Sequence, residues 1–412
     1  MLERSRPARS WPPEGATRVP YWVYQDEDVY DEEQKRIFLG PTWSYLCLEA
    51  EIAEPQSFVT TFLGGMPVVV ARDAAGKIHA FENRCAHRGA LICMQARGKA
   101  ERFSCIYHNW TYDHAGNLLN VAFRKGIAGK GGMAPDAKPE SQAPKQLRVH
   151  AFQGLVFGTL SKSAPAFEDY VGPEVLPRLK RVLIKPLKVL GSYTQVLPNN
   201  WKLYMDNVKD TYHASLLHVF FTRFRINRLT QEGGVFVSKD GAHHCTYTKM
   251  VEDKGDAYEQ GGMRSAGSSS FSLENPELLH QVDELGDAVS IQILSLFPGF
   301  VLHQIRNSLA ARQVVPKGID RTELNWTLFG FADDDEAMTR RRLLQANLVG
   351  PAGYISMEDG AATGFVQRGV AASPDRASVI EMGGDKVGSG DSRITETAVR
   401  GLWKAWRSHM GL

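Results

Sequence analysis

The hydrophobic pattern changes its period along the 412-residue chain. After an irregular, proline-rich opening, DEEQKRIFLG from Asp31 places acidic residues ahead of a periodic apolar face, which predicts one amphipathic helix. From Ser57 to Asn83 the texture becomes SFVTTFLGGMPVVVARDAAGKIHAFEN. Its short β-branched runs, broken by GG and DAAG, predict strands joined by tight turns. Similar strands return in LRVHAFQGLVFGTL, residues 147–160. Between them, RKGIAGKGGMAPDAKPESQAP is rich in glycine, proline and charge and reads as a surface loop. Residues 43–160 are therefore expected to form a small all-β domain.

From about residue 161 helices and strands mix. WKLYMDNVKDTYHASLLH (201–218) and DDEAMTRRRLLQANLV (334–349) read as helices; SIQILSLFPGFVLH (290–303) and LNWTLFGF (324–331) read as strands. The glycine- and serine-rich segment 252–275 lacks periodicity and suggests a loop, with a lid as one use. The expected class is α+β, with residues 1–42 and 161–412 forming the larger domain.

Composition narrows the function classes. A hydrophobic share of 43% and a charged share of 23% fit a soluble globular enzyme and are too apolar for disorder. Lys plus Arg number 48 against 46 Asp plus Glu, so the net charge of +2 leaves no footprint for nucleic acid. A preference for an anionic substrate must then come from a few placed arginines. No apolar run approaches the roughly eighteen residues that span a membrane. The opening MLERSRPARSWPPEG carries charge without an apolar core, which argues against a secretory signal. Five cysteines make no disulfide scaffold, and a reduced, cytoplasmic setting is expected.

Cys85-Ala-His87 and Cys105-Ile-Tyr107-His108, separated by seventeen residues, are two tight pairs at metal-ligand spacing. Zinc fingers group two cysteines and then two histidines, whereas each pair here mixes the two types. The mixture suits a [2Fe–2S] cluster with two cysteines on one iron and two histidines on the other. Cys47, Cys93 and Cys245 stand alone and read as buried inert thiols, and His79 and His114 as structural residues.

A second set lies in NWKLYMDNVKDTYHASLLH, residues 200–218, where Asn207, Asp210 and His213 are spaced by three and share one helical face. His218 is five residues beyond His213, about 140° round an ideal helix. Both histidines reach one metal only if the helix ends, bends or carries a wide turn. Two histidines and one carboxylate leave open positions on Fe(II) for dioxygen. Asp206, Asp210, Glu358 and Asp359 are the candidate carboxylates. Asp206 points away from the shared face, and Asp210 is better placed to orient a histidine. That leaves GPAGYISMEDG, residues 350–360. Arginines that could match a carboxylate bidentately are Arg306, Arg312 and Arg393. Gly388-Ser-Gly390 follows a polar loop, not a strand, and fails as a nucleotide motif.

ENRCAHRGA and FSCIYHNWTY resemble the Rieske domain of the Rieske non-haem iron aromatic-ring oxygenases. SYTQVLPNN, LPNNWKL, YHASLLH, FPGFVLHQI, GPAGYISMEDGA and VIEMGGD extend the resemblance over nearly the whole chain, toward α subunits that act on aromatic carboxylates. The resemblance implies a Rieske domain joined to a helix-grip catalytic domain built on an antiparallel sheet. It implies that Cys85, His87, Cys105 and His108 hold the cluster, and that His213, His218 and Asp359 hold the mononuclear iron, with Glu358 as the alternative to Asp359. Asn207 would sit close behind the iron. Asp210 would bridge a catalytic histidine to a Rieske histidine, by position His108, of a neighbouring subunit. The implied assembly is a trimer of α subunits with a small β subunit, α3β3.

By the same resemblance, a separate reductase passes electrons from NAD(P)H, and both atoms of dioxygen add to the ring as a cis-dihydrodiol. Arg312 and Arg393 would grip the two carboxylates of a substrate such as terephthalate. Relatives acting on salicylate, anthranilate or a halobenzoate need one anchor, which makes Arg393 the discriminating residue. Arg223, Arg225 and Arg306 depart from the pattern, and one of them could face the pocket. Monohydroxylation, as in salicylate 5-hydroxylases, is the enzymatic alternative. A Rieske electron carrier is the non-enzymatic one, and the second ligand set argues against it.

Overall fold

In a computed structural model, residues 9–250, 257–261, 272–350 and 353–412 are described, so most of the 252–275 segment lies outside the described residues. The chain forms two compact units, Phe38–Pro165 and, from two stretches, Met1–Ile37 with Ala166–Leu412.

The smaller unit is built of three antiparallel sheets. The largest runs Ile78–Glu82, Met66–Arg72, Ser57–Leu63, Arg97–Lys99. Its central strand, MPVVVAR, shows no alternation because both faces are covered. Val68 and Val70 point into one core with Leu46, Val59 and Val156. Val69 and Ala71 point into the other, with Phe58, Phe81, Phe103 and Tyr112. Residues 124–144 are mostly exposed turns with one short helical turn, Pro139–Gln142.

The larger unit carries a seven-stranded antiparallel sheet. Its order is Leu187–Leu197, Thr322–Phe331, Ser308–Pro316, Phe300–Ile305, Val289–Leu296, His244–Lys249, Gly233–Val237. The α+β class expected from the sequence is the observed one. Helix Trp201–Lys209 packs against strands Val289–Leu296 and Ser308–Pro316 and against helices Ile355–Val370 and Thr397–Met410. Glu33, fully buried, accepts from Trp201 Nε1 at 2.8 Å and Trp406 Nε1 at 2.7 Å and pairs with buried Lys202 at 2.7 Å. With both carboxylate oxygens engaged, Glu33 ties its own helix to Trp201–Lys209 and Thr397–Met410.

Three sequence expectations need correction. The N-terminal helix starts at Glu27, because the Asp26 side chain caps it by accepting from Asp28 N and Val29 N. Residues 290–303 are two strands of a hairpin, Val289–Leu296 and Phe300–Ile305. The helix read over 201–218 stops at Lys209, where Asp210 turns to extended backbone, and two short helices, Ala214–Leu217 and Val219–Arg223, follow.

Candidate metal centres

In the smaller unit two loops are closed in the same way. Cys85 N donates to Ala90 O at 2.8 Å while Gly89 N donates to Cys85 O at 3.0 Å. Cys105 N donates to Trp110 O at 2.9 Å and Asn109 N to Cys105 O at 2.8 Å. Gly89 and Asn109, four residues after each cysteine, both take positive φ, +76° and +55°. The loops bring His87 Nδ1 within 3.1 Å of His108 Nδ1, and the His87 ring stacks on Trp110. Cys85 and Cys105 are buried side by side, and Tyr112 Oη lies 3.1 Å from Cys85 Sγ. Two adjacent thiols and two converging imidazole nitrogens are the donor set a Rieske cluster requires.

In the larger unit the broken helix solves the angular problem between the two histidines. Asp210 Oδ1 accepts from Tyr212 N at 2.7 Å and His213 N at 3.3 Å, folding the chain back in a turn of the kind aspartate favours. Beyond it, His218 sits between the two short helices with ψ of 81°. Asp359 arrives on helix Ile355–Val370. Gly360 and Gly364 let that helix approach closely: a Cβ on Gly360 would meet Leu197 Cδ2 at 2.9 Å, and one on Gly364 would meet Pro198 Cγ at 3.1 Å.

Asp359 Oδ1 lies 3.4 Å from His213 Nε2 and 3.2 Å from His218 Nε2. The three ligand atoms fall within 4.8 Å of one another. Asn207 Nδ2 is 3.3 Å from both His213 Nε2 and Asp359 Oδ1. Each histidine shows its other nitrogen to a carboxylate. His213 Nδ1 is 3.3 Å from Asp210 Oδ2, a charge contact and not an aligned hydrogen bond, and His218 Nδ1 is 2.8 Å from Glu358 Oε2. Glu358 thus meets His218 on the side away from Asp359, a position suited to orienting a candidate ligand, whereas the sequence offers it only as an alternative ligand. Burial opposes ionisation here and loses: Asp210 and Asp359 raise His213 to about 10, and the two histidines hold Asp359 well below the usual carboxylate range. Positive charge is therefore favoured among these donors, and two imidazoles with one carboxylate fit a non-haem Fe(II) ion. Asp206, as expected, faces away and accepts from Trp403 Nε1 at 2.8 Å.

The same candidate ligands line a cavity, part of it open to solvent, with walls from Val208, Phe221, Thr246, Ile291, Ile293 and Ile305. Arg312 and Arg393 both line it, 6% and 4% exposed. Arg312 lies 4.2 Å over the Trp326 ring and donates to Tyr204 Oη at 3.0 Å and, through Nη2, to His303 Nδ1 at 2.5 Å. Arg393 donates through Nη1 to Asn227 Oδ1 at 2.5 Å and through Nη2 to the carbonyls of Arg228 and Gln231. Burial lowers Arg393 to about 10, so it remains a cation at neutral pH. Arg306 is not brought to the cavity. It sits in the turn between Phe300–Ile305 and Ser308–Pro316 at φ +56°, with Nη1 3.7 Å from Met250 Sδ. Arg223 and Arg225 also lie off the cavity wall.

Residues 42–128 match the Rieske [2Fe-2S] domain, and residues 184–412 match the catalytic domain of ring-hydroxylating α subunits. The chain belongs to the ring-hydroxylating α-subunit family. It is 54% identical to the α2 subunit of the terminal oxygenase component of terephthalate 1,2-dioxygenase from a Comamonas species, over 96% of each chain. It is 44% identical to the anthranilate 1,2-dioxygenase large subunit of Burkholderia cepacia, over 97% of this chain and 95% of the relative. A salicylate 5-hydroxylase large oxygenase component from a Ralstonia species is 39% identical over 97% and 96%. The fold matches a naphthalene 1,2-dioxygenase from a Rhodococcus species, with a TM-score of 0.78 at 22% identity over 95% and 94% of the chains. Membership in the family implies a Rieske cluster and a non-haem iron for the two donor sets. Among the described residues no helix is long and apolar enough to cross a membrane.

Proposed function

We propose that this α subunit dihydroxylates an aromatic carboxylate, with terephthalate as the first candidate and NAD(P)H as the electron source through a separate reductase. One observation carries the dicarboxylate reading. Two guanidinium groups, nearly fully buried, line the cavity that holds His213, His218 and Asp359, and neither forms an ion pair among the described residues. Buried cations without a partner are costly unless an anion completes them.

When bound, the iron would supply the dioxygen chemistry and the Rieske cluster the electrons, one at a time. The chain's residues do the rest. Arg312, held flat by Trp326 and braced by His303 and Tyr204, fixes one carboxylate, and Arg393 fixes the other. Ile291, Ile293, Ile305 and Phe221 give the ring an apolar, water-poor bed. Glu358 holds the outer nitrogen of His218, while Asp210 places His213 through its backbone turn and sets a negative charge beside its outer nitrogen, so that both inner nitrogens face the same point. Asp210 is also the proposed bridge to His108 of the partner subunit, in an α3β3 assembly with a small β subunit.

A second reading, a monocarboxylate such as anthranilate or salicylate with dihydroxylation or monohydroxylation, is favoured by the protein acceptors that already occupy Arg393. Turnover of the complete system with terephthalate, isophthalate, anthranilate and salicylate separates the two. A cis-dihydrodiol from terephthalate, lost more than from a monocarboxylate on Arg393→Ala, supports the first reading; turnover of monocarboxylates alone refutes it.

A further inference from the structure

The two arginines do not present the same face to a ligand. Both Nη2 hydrogens of Arg393 go to the carbonyls of Arg228 and Gln231, and one Nη1 hydrogen goes to Asn227 Oδ1. A guanidinium has five N–H groups, so Nε–H and one Nη1–H remain. These two lie on different edges and cannot close a two-point fork. The Nε edge is also packed against strand Gly233–Val237: a Cβ on Gly233 would lie 2.8 Å from Arg393 Nε and 3.1 Å from Cδ. Arg393 therefore has its charge and a single N–H left for a carboxylate.

Asn227 stands beside it on the same cavity wall and is 7% exposed. The orientation of its amide is fixed by what donates to it. A guanidinium only donates, so the atom facing Arg393 Nη1 is the oxygen, and Thr248 Oγ1 approaches the same oxygen at 3.5 Å. Nδ2 must then turn the other way, and it has no acceptor among the described residues. The support beneath is firm: Asn227 N and Ile226 N both donate to Phe221 O, in the short helix that begins just after His218.

We infer that Asn227 is a substrate-contacting residue, its Nδ2 donating to the carboxylate that Arg393 neutralises, so that the two side chains together form one two-point clamp. This deepens the dicarboxylate reading and rests on it. The clamp discriminates by chemistry. Two N–H donors suit a carboxylate, which only accepts, and they reject a carboxamide, whose NH2 would meet one of them and leave it unpaired.

The test is calorimetric binding to the iron-loaded full-length chain, wild type and Asn227→Asp, with terephthalate, its monoamide 4-carbamoylbenzoate, and benzoate. Aspartate keeps the acceptor for Arg393 but replaces the donor with an acceptor. Wild type should bind terephthalate about tenfold or more tighter than the monoamide. Asn227→Asp should weaken terephthalate by about tenfold or more and reverse that preference, because the carboxylate now accepts the amide N–H. Benzoate, which needs only Arg312, reports whether the variant keeps its cavity. A wild type that binds the diacid and the monoamide equally overturns the clamp, even without the variant. Equal weakening of both ligands in Asn227→Asp, or no change, also overturns it and leaves Asn227 as a support for Arg393. If wild type binds benzoate and neither para-disubstituted ligand, the dicarboxylate reading itself fails, and the clamp with it.

Discussion

Glu358 offers the sharpest test of how the iron site is held. Its Oε2 is 2.8 Å from His218 Nδ1, and His218 is nearly buried while the Glu358 side chain is 30% exposed. A hydrogen bond to a charged partner contributes about 1.5–3 kcal/mol, and the exposure of Glu358 places this one in the lower half. At about 1.5–2 kcal/mol, Glu358→Ala should weaken iron retention roughly 10–30-fold. Glu358→Gln keeps an acceptor and should cost only a few-fold. Asp359→Ala removes a ligand and should abolish retention under the same conditions. The assay is loss of iron to a chelator, with the visible Rieske spectrum of the same sample as an internal standard. Unchanged retention in Glu358→Ala, or equal loss in Glu358→Ala and Asp359→Ala, would refute the division into an orienting and a ligating carboxylate. Loss of the Rieske spectrum as well would show that the substitution acts on folding.

Three further substitutions test other parts of the structure. Asp210→Ala should lose nearly all turnover even in samples reconstituted to full content of both metals, whereas full activity would remove Asp210 from the electron path. Gly233→Ala would drive a Cβ into the carbonyl oxygen of Tyr247 as well as against Arg393, so it should destabilise the fold by about 1–3 kcal/mol and weaken diacid binding more than benzoate binding; equal effects on both ligands would mean that the strand does not set the arginine. Burial raises Asp206 from 3.8 to about 7, so the folded state holds a proton that the unfolded chain releases, and stability falls as pH rises through that window. Asp206→Asn, which still accepts from Trp403, should therefore come closest to wild type in thermal melts below pH 4, already exceed it at pH 5, and exceed it by about 1–3 kcal/mol more at pH 8; the same difference at pH 5 and pH 8 would show that Asp206 does not titrate there.

Much of the site was legible in the chain. Cys85, His87, Cys105 and His108 could be read because a cluster needs its donors in tight pairs, and tight pairs are local in sequence. His213 and His218 were legible with a stated condition, that the helix carrying them must break, and the Asp210 turn provides the break. The two-domain pattern was visible because strand and helix periods are also local. Where sequence reasoning slipped, the cause was long-range packing or a cap. The 290–303 run hid a hairpin because both of its strands are buried and show no alternation.

What the sequence by itself determined was a short set of candidate donors, with Glu358 and Asp359 left as alternatives, since metal chemistry selects residue types and short spacings. What only the tertiary structure decided was which of several similar residues face one another. Glu358 and Asp359 are neighbours in the chain, yet their places on one helix turn put one on His218 Nδ1 and the other between both Nε2 atoms. Arg306 and Arg312 share a hairpin, but the left-handed turn carries Arg306 off the cavity wall while the strand pleat sends Arg312 into it. Asn227 meets Arg393 across 166 residues of chain. No local pattern encodes such a pair, because a side chain's partner is set by how sheet and helices pack, and that packing is a property of the whole fold.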